Sequence, residues 1–305
     1  MKNEDEYYRQ VELLAGQLDL TKPRIVLSYG VNIQAKMLPF TRQMLEQIQS
    51  KKVNQTGEVI KGLMRLISEL GQDEGMKNQS FLRRVFKKND SLTRQLVSYQ
   101  KASAAVEQAR VKLDRNKNFL LADTLLLNRL FTQNNELYHE LNVYLTAGEL
   151  KRQELIRPLP EQEHIEDEFV KRQEAEQRHH IVEVLDKRLY DLRVSIEITK
   201  QNSVLIKLIQ GTNERLIEKI QSSILTSIPL WRNQVALTMA NLQNQEIISA
   251  AEKNNIEQQN KKVLETQKQL LKGMREVIDI QQDSHTKRTQ AEKELSSFML
   301  EENEM

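Results

Sequence analysis

The feature that most constrains the fold is a stripe of residues that follows an alternating three-four spacing through the middle of the chain. Side chains at this spacing lie on one face of a helix and form the seam along which coiled-coil helices pack. The sequence therefore predicts one long helix with a continuous inner face. The stripe consists of Val106, Ala109, Leu113, Asn116, Leu120, Asp123, Leu127, Leu130, Asn134, Leu137, Leu141 and Tyr144.

Two further runs have the same spacing. One extends from Val182 to Ile224, and a weaker one follows Pro229. In the weaker run apolar residues recur at multiples of seven, while polar residues fill most alternate core positions, among them Thr238, Gln245 and Thr266. Polar core residues fix helix register or line a groove that admits another helix. We favour register; the alternative is that the third run exchanges partners with a dimer mate or a membrane-anchored protein.

Turn-forming residues are scarce, with 9 Gly and 5 Pro in 305 residues and neither between Met76 and Ala147. With 5% aromatic residues, the chain is also poor in the large side chains of one thick core. We therefore predict an all-α fold: an elongated bundle of long coiled-coil-like helices, in which a helical hairpin is joined by a further long helix. A helix-start signal at Asp19–Pro23 predicts a small head of shorter N-terminal helices as far as about Leu70.

Breaks in the helical pattern divide the chain. Gly relaxes a helix and Pro excludes a continued one. The predicted segments are a head over 1–75, a long helix with a break at Gly148 over 76–157, and a long helical hairpin over 158–305. The predicted breaks lie at Gly71 to Gly75, at Gly148, at Arg157 to Pro160 and at Ile228–Pro229.

The segment from Ser227 to Gln234 contains the only tryptophan and the last proline. Proline pushes the preceding residue, Ile228, out of the helical region, so one helix is expected to stop here and another to start. Trp231 is predicted to anchor this turn by packing beneath it, with an exposed recognition role as the less favoured reading. The candidate hairpin tip consists of Ile228, Pro229, Leu230, Trp231, Asn233 and Gln234.

Charge and hydropathy limit the partners and the compartment. The net charge of +2 does not predict nucleic acid or membrane as an obligatory partner. The N-terminus lacks an apolar core behind a basic start, and apolar runs such as Leu125 to Leu127 are too short to span a bilayer. We expect a cytoplasmic protein, with the inner membrane face as a peripheral location.

Catalytic machinery is not recognisable. The chain has no Cys, and no Gly-rich loop after a strand marks a nucleotide or methyl-donor site. His179 and His180, flanked by Glu176 and Glu183, suggest a metal site, but adjacent helical residues point apart, which favours a solvated face. We therefore assign no catalytic residue, no cofactor and no metal ligand.

A basic segment is the best candidate for surface contact. From Phe81 to Lys88, four cations and four apolar residues share about two helical turns, a pattern that suits weak docking on anionic lipid or on an acidic partner. The favoured reading is a solvated basic face. The candidate contact residues are Arg83, Arg84, Lys87 and Lys88.

Several blocks, in their order and spacing, resemble the toxic anion resistance family, TelA type. They are Asp19-Leu20-Thr21 with Ile25 to Gly30, then Leu125 to Phe131, Tyr144 to Leu150 and Ser227 to Gln234. The similarity runs from about Gln17 to about Ile280. It implies a link to resistance to tellurite and similar oxyanions and to cell-envelope stress, without an agreed enzymatic activity.

We therefore expect a non-enzymatic helical scaffold or adaptor that acts through protein partners, with a homo-oligomer as one arrangement. One alternative is direct oxyanion binding and detoxification, for which helix N-termini and Arg clusters are suited. A nucleic-acid-associated coiled-coil protein is the other, and the near-neutral charge argues against it.

Overall fold

Helices provide the regular secondary structure of the described chain. The computed structural model describes residues 2–49, 55–72, 89–157, 168–243 and 250–304, and no strand occurs within them. The predicted all-α class and the shorter N-terminal helices are confirmed. These shorter helices are α1 (Lys2–Gln17), α2 (Pro23–Leu27), α3 (Val31–Gln34), α4 (Met37–Ile48) and α5 (Gln55–Gln72).

Long helices follow. α6 (Asn89–Ile156) contains 68 residues and α7 (Glu168–Ser222) contains 55. A π-helical segment (Ser223–Ser227) joins α7 to α8 (Ile228–Gln243), and α9 (Ala250–Glu304) contains 55 residues. α6 continues through Gly148, so the break predicted there is wrong.

The chain divides into two compact units, each assembled from separate stretches. The first unit contains residues 1–48, 127–207 and 291–305, and the second contains 49–126 and 208–290. α6, α7 and α9 therefore contribute residues to both units. The segments predicted from the Gly and Pro positions follow chain order and stay a prediction.

In the first unit, α1 packs on α6. Val11 and Ala15 of α1 are buried against Val143 and Ala147 of α6. The Tyr7 hydroxyl extends this contact through a 2.7 Å hydrogen bond with the hydroxyl of Thr146. Small side chains at these positions let the two helices approach closely, since α1 and α6 meet through two alanines.

In the second unit, one apolar core draws on each of the helices that the structure describes there. Ile67 of α5, Leu113 of α6, Leu216 of α7, Trp231 of α8 and Leu270 of α9 all belong to it, and each is almost completely buried. Burial of such side chains supplies roughly 1.5 to 3 kcal/mol each. The core therefore depends on residues far apart in sequence.

Cross-helix ion pairs show the direction of α9. Lys219 of α7 pairs with Glu276 of α9 at 2.9 Å, and Arg215, one turn earlier on α7, pairs with Asp283, two turns later on α9. Because the residue numbers change in opposite directions, α7 and α9 are antiparallel. α7 continues through the π-helical segment into α8 without a break, so the hairpin turn predicted at Ile228–Pro229 is wrong.

The predicted stripes form the buried faces of the long helices. On α6, every member from Val106 to Leu141 is buried, and Tyr144 is half-buried. In the second run, Val182, Ser203 and Ile217 are half-buried and the other members are buried. In the third run, the side chains of Leu242, Gln245, Glu252, Ile256 and Gln259 lie outside the described ones. The remaining members of that run, Val235, Thr238, Val263, Thr266, Leu270 and Val277, are buried.

Candidate functional site

The segment from Ile228 to Gln234 begins α8 and forms no turn. Ile228 has helical backbone angles, φ −66° and ψ −51°, although it precedes Pro229. In the π-helical segment just before it, hydrogen bonds span five residues instead of four. That wider turn accommodates the missing N–H and the ring of Pro229, which would clash with a regular α-helical turn.

Trp231 is a core residue. Its exposed fraction is 0%, and it lies in the apolar core of the second unit with Ile228. The anchoring role predicted for Trp231 fits this burial, but no turn lies above it, and the exposed recognition role is wrong. Of the other residues predicted as a hairpin tip, Pro229, Leu230 and Asn233 are exposed and Gln234 is half-buried.

The predicted basic contact falls in a part of the chain that the structure does not describe. Arg83, Arg84, Lys87 and Lys88 lie outside the described residues, as do Pro158 and Pro160. Their predicted role stays a prediction.

Two of the sequence blocks that carry the family resemblance meet in the first unit. The Tyr29 hydroxyl donates a 2.6 Å hydrogen bond to the carbonyl oxygen of Tyr144. A Cβ added to Gly148 would lie 2.9 Å from the Tyr29 ring and 2.5 Å from Leu189. Gly148 is therefore required for close helix packing. Burial raises the pKa of the Tyr29 phenol well above its ordinary value, so this hydroxyl acts as a hydrogen-bond donor.

Arg188 holds the connection between α2 and α3 in place. Its Nε donates to the Tyr29 carbonyl at 3.0 Å, and its Nη2 donates to Gln34 at 2.6 Å. Its Nη1 is 2.8 Å from a carboxylate oxygen of Asp191. Because all three nitrogens are engaged within the first unit, the arrangement positions a loop, and this guanidinium is not available to an added anion.

The histidine pair lies on an exposed face of α7. His179 Nε2 is 3.5 Å from a carboxylate oxygen of Glu183, and both side chains are exposed. No group of three or more metal-ligating side chains comes together among the described residues. The solvated-face interpretation therefore describes this pair.

The outer surface of α6 carries an unexpected apolar strip. We call Phe119, Leu121, Leu125 and Leu126 the apolar strip; their exposed fractions are 38%, 44%, 63% and 43%. Leu120 and Leu127, between them in sequence, are buried. A helix with one buried face normally has polar residues on the other. Over this stretch α6 instead presents large apolar side chains on both faces.

Two cations lie on the side of α6 that carries Phe119 and Leu126, one to two turns before Phe119. Lys112 and Arg115, which we call the cation pair, are exposed and have no carboxylate partner within the described residues. The nearby carboxylates are already engaged, since Asp114 pairs with Lys117 at 2.9 Å and Glu107 pairs with both Arg110 and Arg232. This part of α6 therefore combines apolar surface with uncompensated positive charge.

Sequence reasoning missed the apolar strip. The signal was present, because Leu121, Ala122 and Leu125 occupy positions of the three-four pattern that face away from the seam. Comparing inner and outer positions would have identified the strip.

Hydropathy tests whether a described helix could span a membrane. No helix in the described ranges combines the length and the apolar character that a membrane-spanning segment needs.

The fold and these surfaces define an all-α protein whose long helices share heptad-spaced buried faces. The sequence profile of the family described as "Toxic anion resistance protein (TelA)" matches residues 11–260. The chain belongs to this family, which makes it a protein related to toxic anion resistance. The family description names resistance and does not name a reaction.

Similar proteins come from Bacillus, Listeria and Staphylococcus species. YaaN of Bacillus subtilis is 35% identical over 92% of this chain and 82% of its own length. Lmo1967 of Listeria monocytogenes is 33% identical over 94% of this chain and 80% of its own. A TelA-like protein of Staphylococcus haemolyticus is 31% identical over 95% and 83%. No solved structure matches this chain.

Proposed function

We propose that this protein is a non-enzymatic helical scaffold or adaptor that contributes to resistance to toxic oxyanions, and to tolerance of cell-envelope stress, through protein partners. The expected location is the cytoplasm, with a partner at the inner membrane face as one arrangement. Membership of the toxic anion resistance family supports the phenotype. The apolar strip of α6 supports the partner.

The apolar strip is hydrated at a cost in free energy that binding a partner would recover. Each of its leucines leaves more than two fifths of its surface in water. Clustered apolar surface of this kind is typical of protein interaction sites, because burying it on a partner is favourable at about 25 cal/mol per Å². Side chains kept only for the fold would face the core, as Leu120 and Leu127 do.

The proposal is tested by removing the apolar strip without disturbing the fold. We expect the double variant Leu121→Gln, Leu125→Gln to lose tellurite resistance to the level of a gene deletion, while its circular dichroism and thermal midpoint stay unchanged. Leu237→Gln is the matched control, since Leu237 is a leucine of the second unit with a similar exposed fraction, 44%. Survival on graded tellurite, at equal protein levels, is the measurement.

Two results would contradict the proposal. One is full resistance in the folded double variant, which would show that the apolar strip binds nothing needed for resistance. The other is stoichiometric binding or catalytic reduction of tellurite by the purified protein, which would assign direct detoxification instead.

A further inference from the structure

We propose that the outward face of α9 in the second unit binds the surface of an anionic phospholipid bilayer. This inference goes beyond the proposed function, because it concerns a different helix from the apolar strip and a lipid instead of a protein. The contact is made by four cations, which we call the basic stripe. They are Lys261, Lys268, Lys272 and Arg275.

The basic stripe occupies one side of α9. Lys261, Lys268 and Arg275 follow one another at intervals of seven residues and lie along one line, and Lys272, four residues after Lys268, lies next to that line. All four side chains are exposed, whereas Leu270, on the opposite side of the helix, is buried in the core. At 1.5 Å per residue the stripe is roughly 21 Å long.

The positive charge of the stripe is not compensated by ion pairs. Within the described residues, no carboxylate oxygen lies within 4 Å of any of the four cations, and Glu276 is bonded to Lys219 of α7 at 2.9 Å. Glu265 and Asp279 share this side of α9, and neither forms an ion pair with the stripe. The four cations are therefore available to anions in solution.

The spacing of the stripe lowers the stability of the helix. Lys268 and Lys272 are four residues apart, and Lys272 and Arg275 are three apart, so like charges are neighbours on the helix surface and repel. Opposite charges occupy such spacings elsewhere in the chain. Examples are Lys117 with Asp114, Lys151 with Glu154 and Lys200 with Glu197. The stripe therefore indicates an anionic partner from outside the chain.

Neighbouring helices limit the shape of that partner. Gln267 donates a 2.8 Å hydrogen bond to the carbonyl oxygen of Ile67 of α5, and Glu276 pairs with Lys219 of α7. Gln267 and Glu276 lie on opposite sides of α9, because nine residues make two and a half helical turns. α9 is therefore flanked by a helix on each side and presents the stripe outward, where a plane can approach all four cations at once.

A nucleic-acid duplex and a partner protein fit this face less well. The major groove of DNA is about 12 Å wide and admits a single helix, so α9 cannot enter it with α5 and α7 on either side. A protein interface needs a desolvated apolar centre, whereas no large apolar side chain is exposed among the described residues of α9. Lipid headgroups need only accessible positive charge.

The expected binding is electrostatic and reversible. Each cation held near an anionic bilayer raises the partition coefficient about fivefold, so the four together raise it roughly several hundredfold. The attraction acts within a Debye length, about 8 Å at physiological salt. Because the stripe has no apolar side chain to insert, the protein should stay at the level of the headgroups.

The experiment sediments the full-length protein with vesicles of phosphatidylcholine and phosphatidylglycerol in equal amounts, and with vesicles of phosphatidylcholine alone. We expect binding to the mixed vesicles only, and weaker binding as ionic strength rises. Lys268→Gln with Lys272→Gln should lower the partition coefficient about 25-fold, whereas Lys268→Arg with Lys272→Arg should leave it unchanged. Circular dichroism should show that each variant is folded.

The matched control removes the cation pair of α6. Lys112→Gln with Arg115→Gln deletes two exposed cations of the second unit and changes the net charge by the same amount, yet it should bind the mixed vesicles like the natural protein. Equal losses in the two glutamine variants would show that only net charge matters and would overturn the proposal.

Three further results would also overturn the proposal. One is that the natural protein does not bind the mixed vesicles. A second is binding that persists in the Lys268→Gln, Lys272→Gln variant, which would assign the contact to another part of the chain, such as the basic segment from Phe81 to Lys88. The third is loss of binding in the Leu121→Gln, Leu125→Gln variant, which would assign it to the apolar strip.

Two competing ligands identify the other occupants. Fluorescence anisotropy with a labelled DNA duplex, at the same phosphate concentration as the vesicles, should show weaker binding than the vesicles do. A labelled glutamate-rich peptide should also bind more weakly. Tighter binding of the duplex would overturn the proposal in favour of nucleic acid, and tighter binding of the peptide in favour of an acidic protein.

Failure of the lipid site and failure of the proposed function are distinguishable. Vesicle binding depends on the basic stripe, and tellurite resistance through a protein partner depends on the apolar strip. The glutamine variant of α9 therefore tests the first without altering the second.

Discussion

Asp123 of α6 and Arg288 of α9 form a salt bridge that is almost completely withdrawn from water, with 6% and 5% of their side chains exposed. Asn213 of α7 completes the layer, donating to Asp123 at 2.6 Å and accepting from Arg288 at 3.2 Å. The layer joins three helices at one level of the second unit. Any slip of one helix would leave a buried charge without its partner.

Removing one partner of this salt bridge should therefore be costly. We expect Asp123→Ala to lower the free energy of unfolding by about 3 to 5 kcal/mol, because Arg288 would remain buried without this carboxylate. The double variant Asp123→Leu, Arg288→Met should recover most of this loss. Urea denaturation followed by circular dichroism is the measurement, and an Asp123→Ala midpoint equal to that of the natural protein would contradict the prediction.

Trp231 should contribute to stability by its volume more than by its polar group. Trp231→Ala is expected to lower the free energy of unfolding by about 3 to 5 kcal/mol, the usual cost of a large cavity. Trp231→Phe should cost much less, because the indole Nε1 has no hydrogen-bond partner among the described residues. Urea titrations of both variants by circular dichroism check this ranking, and similar losses in the two would refute it.

Gly148 provides a test of close packing. Gly148→Ala should destabilise the protein by about 1 to 3 kcal/mol despite the higher helix propensity of alanine, because the new methyl group overlaps Leu189 and Tyr29. Gly211→Ala is the matched control: nothing lies within 4 Å of its added Cβ. That control should gain roughly 0.5 to 1 kcal/mol. The midpoint temperatures of thermal unfolding of the two variants should shift in opposite directions.

Two buried asparagines of the first unit should respond differently to substitution. Asn134 donates 2.7 Å hydrogen bonds to the Thr199 carbonyl and the Ser203 hydroxyl, whereas neither amide atom of Asn202 has a partner in the described structure. Asn202→Leu should raise the free energy of unfolding by about 1 to 2 kcal/mol, since an uncompensated amide becomes apolar. Asn134→Leu should not raise the free energy of unfolding, because it removes both of these hydrogen bonds. Denaturation midpoints in the reverse order would contradict this.

Asp19 should titrate at unusually low pH. The hydrogen bond from the Thr21 hydroxyl to its carboxylate, at 2.6 Å, is the main cause that lowers its pKa to about 2, and Lys22 adds to it. Because the folded pKa lies below the ordinary value, this contribution to stability is present above about pH 4 and is lost as pH falls towards 2.

Substitution of Thr21 tests the cause. In Thr21→Val the pKa of Asp19 should rise towards its ordinary value, as measured by NMR titration of the carboxyl carbon. In Thr21→Ser, which keeps the hydroxyl, it should stay low. An unchanged pKa in the valine variant would assign the effect to Lys22.

The long helices could be predicted from the sequence, because heptad spacing is a property of each helix by itself. The run from Val106 to Leu141 predicted its own buried face residue by residue, including Asp123 and Asn134. The start of α2 at Pro23 followed from proline's fixed φ. Within this helix-start signal, Lys22 occupies the N-cap position, and the Asp19 carboxylate accepts a hydrogen bond from the Thr21 N–H.

The failures involved residues whose local preference was overridden by their surroundings. Pro229 suggested a stop, yet the buried faces of Ile224, Ile228 and Trp231 favour one continuous helix, and a π-helical turn accommodates the ring. Gly148 suggested a break, yet it admits the Tyr29 ring beside an intact helix. The approach of Tyr29 to Gly148 cannot be predicted from neighbouring residues, because these two residues are far apart in the chain.

The sequence by itself determined the helical class, the long elements and their inner faces, because three-four periodicity and the shortage of Gly and Pro act within a single helix. Only the tertiary structure decided that α7 and α9 are antiparallel, that Asp123 meets Arg288 and that the apolar strip of α6 remains in water. These depend on which faces are covered by distant segments. Burial is a property of the assembled chain and not of any one helix.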